Sequence, residues 1–412
     1  MRSISVALLT CLVAIAVSAN PVVISDNLVR LRLAKHINVT SPGHIVKADQ
    51  ARAAALISKA LAQSSGKFTQ DAVISTPAQT QAVAYVASVG VGSPATTYSL
   101  LIDTGSSNTW VGAGKAYVRT STSVQTGDRV SVSYGSGSFS GNEFTDTVNL
   151  GTGLTITKQS IGVASSSTGF GGVDGILGIG PVILTTGTLS PDSNSTIPTV
   201  VDSLFAQGTI TGHSIAISFE PTPPQPTNNG ELTYGGTDSS KFTGSITFAP
   251  ITSTSPASFF WGINQSIRYG SSTAILPTTA GIVDTGTTLV LIATDAFNRY
   301  KSATGAVPDN ATGLLRLTTT QFSNLQSLFF TIAGTTFEFT ANAQAWPRSL
   351  NTLIGGTTSN VYLIVADLGT NSGSGFDFIN GMSFLERFYS VYDTANKRVG
   401  IANTPFTKAA TN

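Results

Sequence analysis

Two short acidic loops carry the chemistry that this sequence can support. Ser99-Leu100-Leu101-Ile102-Asp103-Thr104-Gly105 and Ala280-Gly281-Ile282-Val283-Asp284-Thr285-Gly286 share one pattern, each with an aspartate at the end of an apolar run. A carboxylate after a buried strand is costly unless it has partners or work to do. When two such carboxylates meet, one resists ionisation, so the pair shares a proton and titrates as a unit. The ionised member can activate a water while the protonated one polarises a carbonyl. That is acid–base hydrolysis with neither a covalent intermediate nor a metal. Glycine after each threonine lets the backbone approach and donate its N–H to the carboxylate, and the threonine hydroxyls can satisfy one another across an interface. A lone Asp-Thr-Gly is a weak signal. Two copies are a strong one, each after an apolar run and before Ser106-Ser107 or Thr287-Thr288.

Other hydrolytic chemistries have little material. The one cysteine, Cys11, falls in an N-terminal apolar stretch, so the remaining chain has no disulfide, thiol nucleophile or cysteine metal site. His36 and His44 precede the expected mature start, leaving His213 in the polar run Thr211-Gly212-His213-Ser214 for any Ser-His-Asp arrangement. A structural or exposed role suits that histidine better.

The elements that must position the two loops are strands. From residue 82 onward one β-branched run follows another, among them 83–91, 98–102 and Val130-Ser131-Val132-Ser133-Tyr134, which meets the hairpin turn Gly135-Ser136-Gly137. Helical signals are confined to 199–207, 294–303, 319–326 and 382–388. Residues 221–229, with four prolines, read as an exposed loop. The class is all-β. Each acidic loop precedes an apolar strand (Thr109-Trp110-Val111; 289–292), and each half later runs an apolar pair toward glycine (Ile176-Leu177-Gly178; Phe378-Ile379-Asn380-Gly381). This weak duplication implies two related lobes, 76–250 and 251–412, with the cleft between them.

What precedes the lobes differs in kind. Residues 1–19 read as a signal peptide: Arg2, an apolar stretch over 6–17, then Val17-Ser18-Ala19. That run is too short for a convincing membrane span. Residues 20–71 hold seven basic residues (Arg30, Arg32, Lys35, Lys47, Arg52, Lys59, Lys67) against three acidic ones (Asp26, Asp49, Asp71), whereas the chain from residue 72 has 14 basic and 18 acidic. A basic segment ahead of an acidic body can dock on it and shield its carboxylates. Within it, Leu28-Val29-Arg30-Leu31-Arg32-Leu33 alternates as a half-buried strand does, and residues 48–63 are Ala-rich and helix-forming. Only 10% of the residues are Asp, Glu, Lys or Arg, which suits a protein working where carboxylates titrate and equally suits any polar, β-rich extracellular protein. Sequons begin at Asn38, Asn194, Asn264 and Asn310, the last three glycosylation candidates in the mature region.

At these residues the chain resembles the pepsin-like aspartic peptidases, from about residue 82 to 402, and within them the secreted fungal, cysteine-free polyporopepsin type. The resemblance implies a bilobal acid-protease fold of two β-barrel-like lobes and an endopeptidase of acidic pH optimum that needs no cofactor and no metal. Asp103 and Asp284 become the catalytic pair. Ser106 supports the first aspartate, with Thr104, Gly105, Thr285 and Thr288 as further supports. Tyr134, Gly135 and Ser136 form the tip of a flap over bound peptide, with Trp110 fixing the tyrosine. Gly286, Thr287, Leu101 and Ile176 line the substrate site, and the apolar walls favour bulky apolar residues around the scissile bond. Val173-Asp174-Gly175 and the stretch 382–400 match the family's framework. Residues 20–75, ending between 71 and 77, become an activation segment whose lysine, among Lys35, Lys47, Lys59 and Lys67, blocks the dyad. Its strand is the family's inhibitory one. The chain departs from the pattern at Ile379-Asn380-Gly381, where an apolar-Gly-Asp is usual.

The partners expected are polypeptide substrates and the chain's own activation segment, with no nucleic acid and no membrane, in a secreted monomer. Trp110 and Tyr134 on their own also read as ordinary packing aromatics, Asp174 as a turn residue and Ser106 as a local cap. Two rival functions differ in class. A catalytically dead binding protein on the same fold would lose an aspartate or the flap tyrosine, and all three are present. A two-carboxylate glycosidase would line its cleft with tryptophans, and the chain has three in all.

Overall fold

The computed structural model describes residues 29–37, 45–66, 83–221 and 229–411. The expected signal peptide, Asn38, His44, Lys67, the expected 71–77 boundary and residues 222–228 of the proline-rich loop lie outside the described residues. In chain order the strands begin with β1 (Val29–Ile37), β2 (Val83–Val91), β3 (Thr96–Asp103), β4 (Thr109–Val111), β5 (Val124–Ser133), β6 (Ser138–Asn149), β7 (Thr155–Thr168) and β8 (Gly175–Gly178). They continue with β9 (Leu189–Ser190), β10 (Ser214–Phe219), β11 (Gly230–Tyr234), β12 (Thr243–Pro250), β13 (Gly262–Tyr269), β14 (Thr273–Val283) and β15 (Val290–Ile292). The rest are β16 (Val307–Pro308), β17 (Leu315–Thr318), β18 (Leu328–Ile332), β19 (Thr335–Phe339), β20 (Asn360–Leu363), β21 (Val365–Asp367), β22 (Phe378–Asn380), β23 (Phe388–Asp393) and β24 (Arg398–Asn403). The helices are α1 (Ile45–Ser65), α2 (Val200–Ala206), α3 (Thr294–Thr304), α4 (Thr319–Phe322) and α5 (Met382–Leu385). The last four fall where helical signals were read, and α2 and α4 start on capping boxes at Thr199 and Thr318.

Among the described residues the strands form three sheets. The largest runs β12-β24-β23-β10-β11-β1-β2-β3-β8-β4-β7-β6-β5-β9, a second runs β19-β18-β13-β14-β22-β15-β21, and a third is β16-β17-β20. The bilobal β architecture is as expected, yet β23 and β24, from the chain's end, complete the first sheet beside β10 and β12.

The same local device occurs twice. In the first lobe β3 and β8 are parallel, with Asp103 opposite Gly178, and β4 returns antiparallel to β8. In the second, β14 and β22 are parallel and β15 returns antiparallel to β22. Each aspartate therefore leaves the sheet where two strands splay apart, and the two ends face one another.

The basic segment is built into this frame. β1 inserts between β11 and β2, pairing Leu31 with Leu232 and Lys35 with Tyr85. Its alternation is used as the pattern predicts: Leu31 and Leu33 are buried, while Arg30 and Arg32 are exposed. Arg30 reaches Asp238 at 3.0 Å. Helix α1 turns one stripe inward, made of Ile45, Asp49, Arg52, Ala53, Leu56 and Ala60. Alanine on that face permits close approach, and two charged residues on it demand an explanation.

Candidate active site

Asp103 and Asp284 are both fully inaccessible to solvent. Gly105 N–H donates to Asp103 Oδ1 (2.9 Å) and Gly286 N–H to Asp284 Oδ1 (3.0 Å), as the glycine spacing requires. A side chain at Gly105 would collide with Asp284, and one at Gly286 with Asp103, so each glycine faces the opposite lobe's carboxylate. The outer oxygens take hydroxyls: Ser106 Oγ donates to Asp103 Oδ2 (2.5 Å) and Thr287 Oγ1 to Asp284 Oδ2 (2.6 Å). Thr287, expected against substrate, is thus engaged on Asp284 as Ser106 is on Asp103.

The two threonines lock the lobes, although not hydroxyl to hydroxyl. Thr104 N–H donates to Thr285 Oγ1 and Thr285 N–H to Thr104 Oγ1, both at 3.0 Å. Each hydroxyl then donates to a carbonyl of the facing strand, Thr285 to Ile102 (3.0 Å) and Thr104 to Val283 (3.3 Å). Every buried polar group of the interlock is thereby paired.

Between the carboxylates sits Arg52 of α1, and none of the three described lysines among the candidates. Its Nη2 donates to Asp103 Oδ1 (2.6 Å) and Asp284 Oδ1 (3.0 Å), and its Nε to Asp284 Oδ2 (2.8 Å). A planar fork serves two carboxylates at once, which a lysine ammonium cannot match. Lys35 instead meets Glu386 at 2.6 Å beside the Tyr85 hydroxyl, Lys47 is exposed and Lys59 is half-buried farther along α1. Three residues before Arg52, Asp49 accepts the N–H groups of Leu289 (2.8 Å) and Thr288 (3.3 Å) just past the second loop.

The electrostatics follow from burial and from Arg52. Burial raises Asp103, and the Asp284 charge adds to this against the pull of Arg52. Burial also pushes Asp284 upward, but Arg52, the Thr287 hydroxyl and Gly286 N–H together hold it below the usual value. Burial pushes Asp49 up to about 7 in spite of its two backbone donors.

The hairpin of β5 and β6 closes over this group, its turn fastened by Tyr134 N–H to the Gly137 carbonyl (2.8 Å). Gly135, at φ 76°, lies against the α1 backbone at Ala51 and Arg52, with no room for a side chain. Tyr134 is buried with Trp110, Leu101 and Ile176 in one apolar cluster. The Tyr134 hydroxyl lies within reach of Trp110 and Ser106 without closing a hydrogen bond of full geometry. What joins Tyr134 to Trp110 is Phe170, edge-on to both at 5.5 and 4.8 Å, while Phe139 stacks on Trp110 at 4.2 Å. Neither phenylalanine carries a local sequence signal. Beside the loops, a cavity of about 410 Å³ is lined by Ile179, Pro181, Ile183, Ile215, Phe260 and Trp261, and Gln63 at the end of α1 donates to the Ile183 carbonyl on its edge.

The remaining candidates lie elsewhere. His213 pairs with Asp202 at 2.7 Å and stacks on Phe205, and neither partner belongs to an aspartate loop. Asn194, Asn264 and Asn310 are all exposed. Among the described residues, no group of three His, Cys, Asp or Glu could hold a metal ion. Among them, too, no helix is long and apolar enough to cross a membrane.

The sequence model of the eukaryotic aspartyl protease family matches residues 84–404, which include both aspartate loops and the hairpin of β5 and β6. The chain belongs to the eukaryotic aspartyl protease family. It is 72% identical over 338 residues to polyporopepsin of Irpex lacteus, covering 82% of this chain and 99% of that protein. To rhizopuspepsin-1 of Rhizopus niveus it is 32% identical over 335 residues, covering 78% of this chain and 79% of that protein. The crystal structure of the aspartic proteinase from Irpex lacteus superposes with a TM-score of 0.79 at 73% identity, covering 80% of this chain and 96% of that one. The chain is therefore an aspartic endopeptidase, acting on polypeptides. β1 and α1 both precede the family match.

Proposed function

We propose that this protease hydrolyses peptide bonds at acidic pH through a water activated by Asp103 and Asp284, and that it is made as a secreted zymogen whose residues 20–75 block the dyad through Arg52. The observation that carries the reading is the convergence of both Oδ1 atoms on one nitrogen, Arg52 Nη2. A point within hydrogen-bond reach of both carboxylates is where an attacking water has to sit. The ionised carboxylate takes a proton from that water, and the protonated one donates to the carbonyl oxygen of the scissile bond. The hydroxyls of Ser106 and Thr287 hold the outer oxygens, so that the inner ones stay aimed at the water.

In this reading residues 1–19 are a signal peptide, 76–250 and 251–412 are the lobes, and the 71–77 stretch is cut on activation. The family match beginning at residue 84 supports an N-terminal segment separate from the catalytic body. With α1 gone, an extended peptide occupies the cleft under the Tyr134 hairpin. The wall of Leu101 and Ile176 and the cavity by Phe260 favour bulky apolar residues about the scissile bond. Digestion of an unbiased peptide mixture at pH 3–6 by the processed protein tests this, beside Asp103→Asn and wild type with a statine-type mimic. Internal cleavage between apolar residues, absent from both controls, is expected. Equal cleavage at pH 7 and pH 4 rejects the acidic dyad.

A further inference from the structure

Both aspartate loops are clamped through the main chain, and their side-chain anchors differ. In the first lobe, Ile179 N–H donates to the Asp103 carbonyl and Gly180 N–H to the Ser106 carbonyl, both at 2.8 Å. In the second, Asp284 N–H donates to the Asn380 carbonyl (3.1 Å), Met382 N–H to the Thr287 carbonyl (2.7 Å) and Ser383 N–H to the Thr288 carbonyl (3.1 Å). β22 and the turn after it therefore grip the loop that carries Asp284.

Register identifies what anchors each grip. Leu177 lies opposite Ile102 on β3, and Asn380 opposite Val283 on β14, so Leu177 and Asn380 are counterparts. On the outer neighbours, Val89 lies opposite Tyr98 and Gln265 opposite Thr279, each partner five residues before its aspartate. Val89 and Gln265 are counterparts too. All four side chains are fully buried, but the first lobe uses two apolar ones and the second uses two amides. Asn380 Nδ2 donates to Gln265 Oε1 (2.8 Å) and Gln265 Nε2 to Asn380 Oδ1 (3.1 Å), tying β22 to β13 across the intervening β14. Apolar contact is non-directional and tolerates sliding. A slip of the amide pair strands buried donors and acceptors without partners, so it resists sliding.

We propose that Gln265 and Asn380 are positioning residues: their paired amides fix β22, and with it the main-chain grip that holds Asp284 and the Thr287 hydroxyl in the dyad geometry. The proposal rests on Asp284 being half of the catalytic pair. Neither amide touches Asp284's carboxylate; both act through the Asn380 carbonyl and the turn after it.

The test gives the second lobe the first lobe's solution, Gln265→Val with Asn380→Leu, which leaves no polar atom unpaired. Kinetics on the processed protein should show kcat lowered about tenfold, since small misplacements are costly at a reacting centre. KM should stay within about twofold, and the pH profile of kcat/KM should move by about half a unit or more. A milder variant, Gln265→Asn, keeps the polar groups but shortens the link, and should shift the same quantities less. The exchanged pair, Gln265→Asn with Asn380→Gln, should recover most of the loss. Wild-type kcat and pH profile in the apolar double variant, or in Gln265→Asn should the double not fold, overturns the proposal. Asp284→Asn serves as the control: activity retained there removes the dyad reading and this proposal with it. An inactive Asp284→Asn beside an unaffected double variant removes only the positioning role.

Discussion

Arg52 meets Asp284 edge-on, Nε at 2.8 Å from Oδ2 and Nη2 at 3.0 Å from Oδ1, and the same Nη2 reaches across to Asp103. The charge of the two carboxylates outweighs the burial of the guanidinium and keeps it protonated throughout the useful pH range. Removing one partner of such a buried cluster costs about 3–5 kcal/mol. The precursor variant Arg52→Gln should therefore bind a statine-type mimic at pH 6, where the wild-type precursor binds none. Arg52→Lys should fall between them, having a charge but no fork. Active-site titration of uncleaved precursors decides it, and equal exclusion of the mimic in all three would remove Arg52 from the blocking role.

Asp49 makes docking of α1 depend on pH in a direction opposite to a simple salt bridge. Its pKa is about 7 when docked and near 3.8 when free. The raised value means that docking is fully favoured below the free pKa and weakens as pH rises through the docked one. Asp49→Asn removes that loss, because the amide is neutral at every pH and its one oxygen still accepts the shorter of the two bonds, from Leu289 N–H. Self-processing of Asp49→Asn should match wild type near pH 3 and be at least about fivefold slower near pH 5.5, followed by gel densitometry.

Ser106 and Thr287 give the two aspartates separate supports. The Ser106 hydroxyl lowers Asp103, so Ser106→Ala should raise that pKa and move the pH profile of kcat/KM upward. A hydrogen bond to a charged group is worth about 1.5–3 kcal/mol, or roughly 10–100-fold in activity. Thr287→Val should act in the same sense through Asp284. Profiles measured from pH 2 to 7 on both variants report the two ends of the dyad.

Glu143 on β6 is a buried carboxyl with work to do only in the stability of the lobe. Burial pushes it up to about 8, the Ser160 hydroxyl donates to Oε1 at 2.6 Å, and Oε2 has no partner. The stability this gives is complete below the unfolded value near 4.5 and is lost as pH climbs through 8. Glu143→Gln should melt with wild type at pH 4 and several degrees above it at pH 7, by calorimetry on the processed protein.

The meeting of Asp103 with Asp284, the turn at Gly135, β1 and the all-β class were legible because each has a local signature: a repeated tripeptide, a glycine turn, an alternation of leucine with arginine. Arg52 was not, because only lysines were weighed as the blocking cation. Its clue was present in the spacing of Ile45, Asp49, Arg52, Ala53 and Leu56, a helix stripe that sets two charges among apolar residues. Phe170 and the Gln265–Asn380 pair join residues far apart in the chain, and no window of sequence contains them. The threonine interlock was half legible, since the residue type predicts a bonded hydroxyl but not that its partners are main-chain groups of the opposite loop.

β10 and β12 find their partners in β23 and β24, strands drawn from residues 388–403. A nascent chain that has emerged only through β12 exposes both edges and has nothing to put against them. The first lobe of this protease is therefore the first to be synthesised and among the last to be finished, and a ribosome that stops short of residue 388 spoils both lobes.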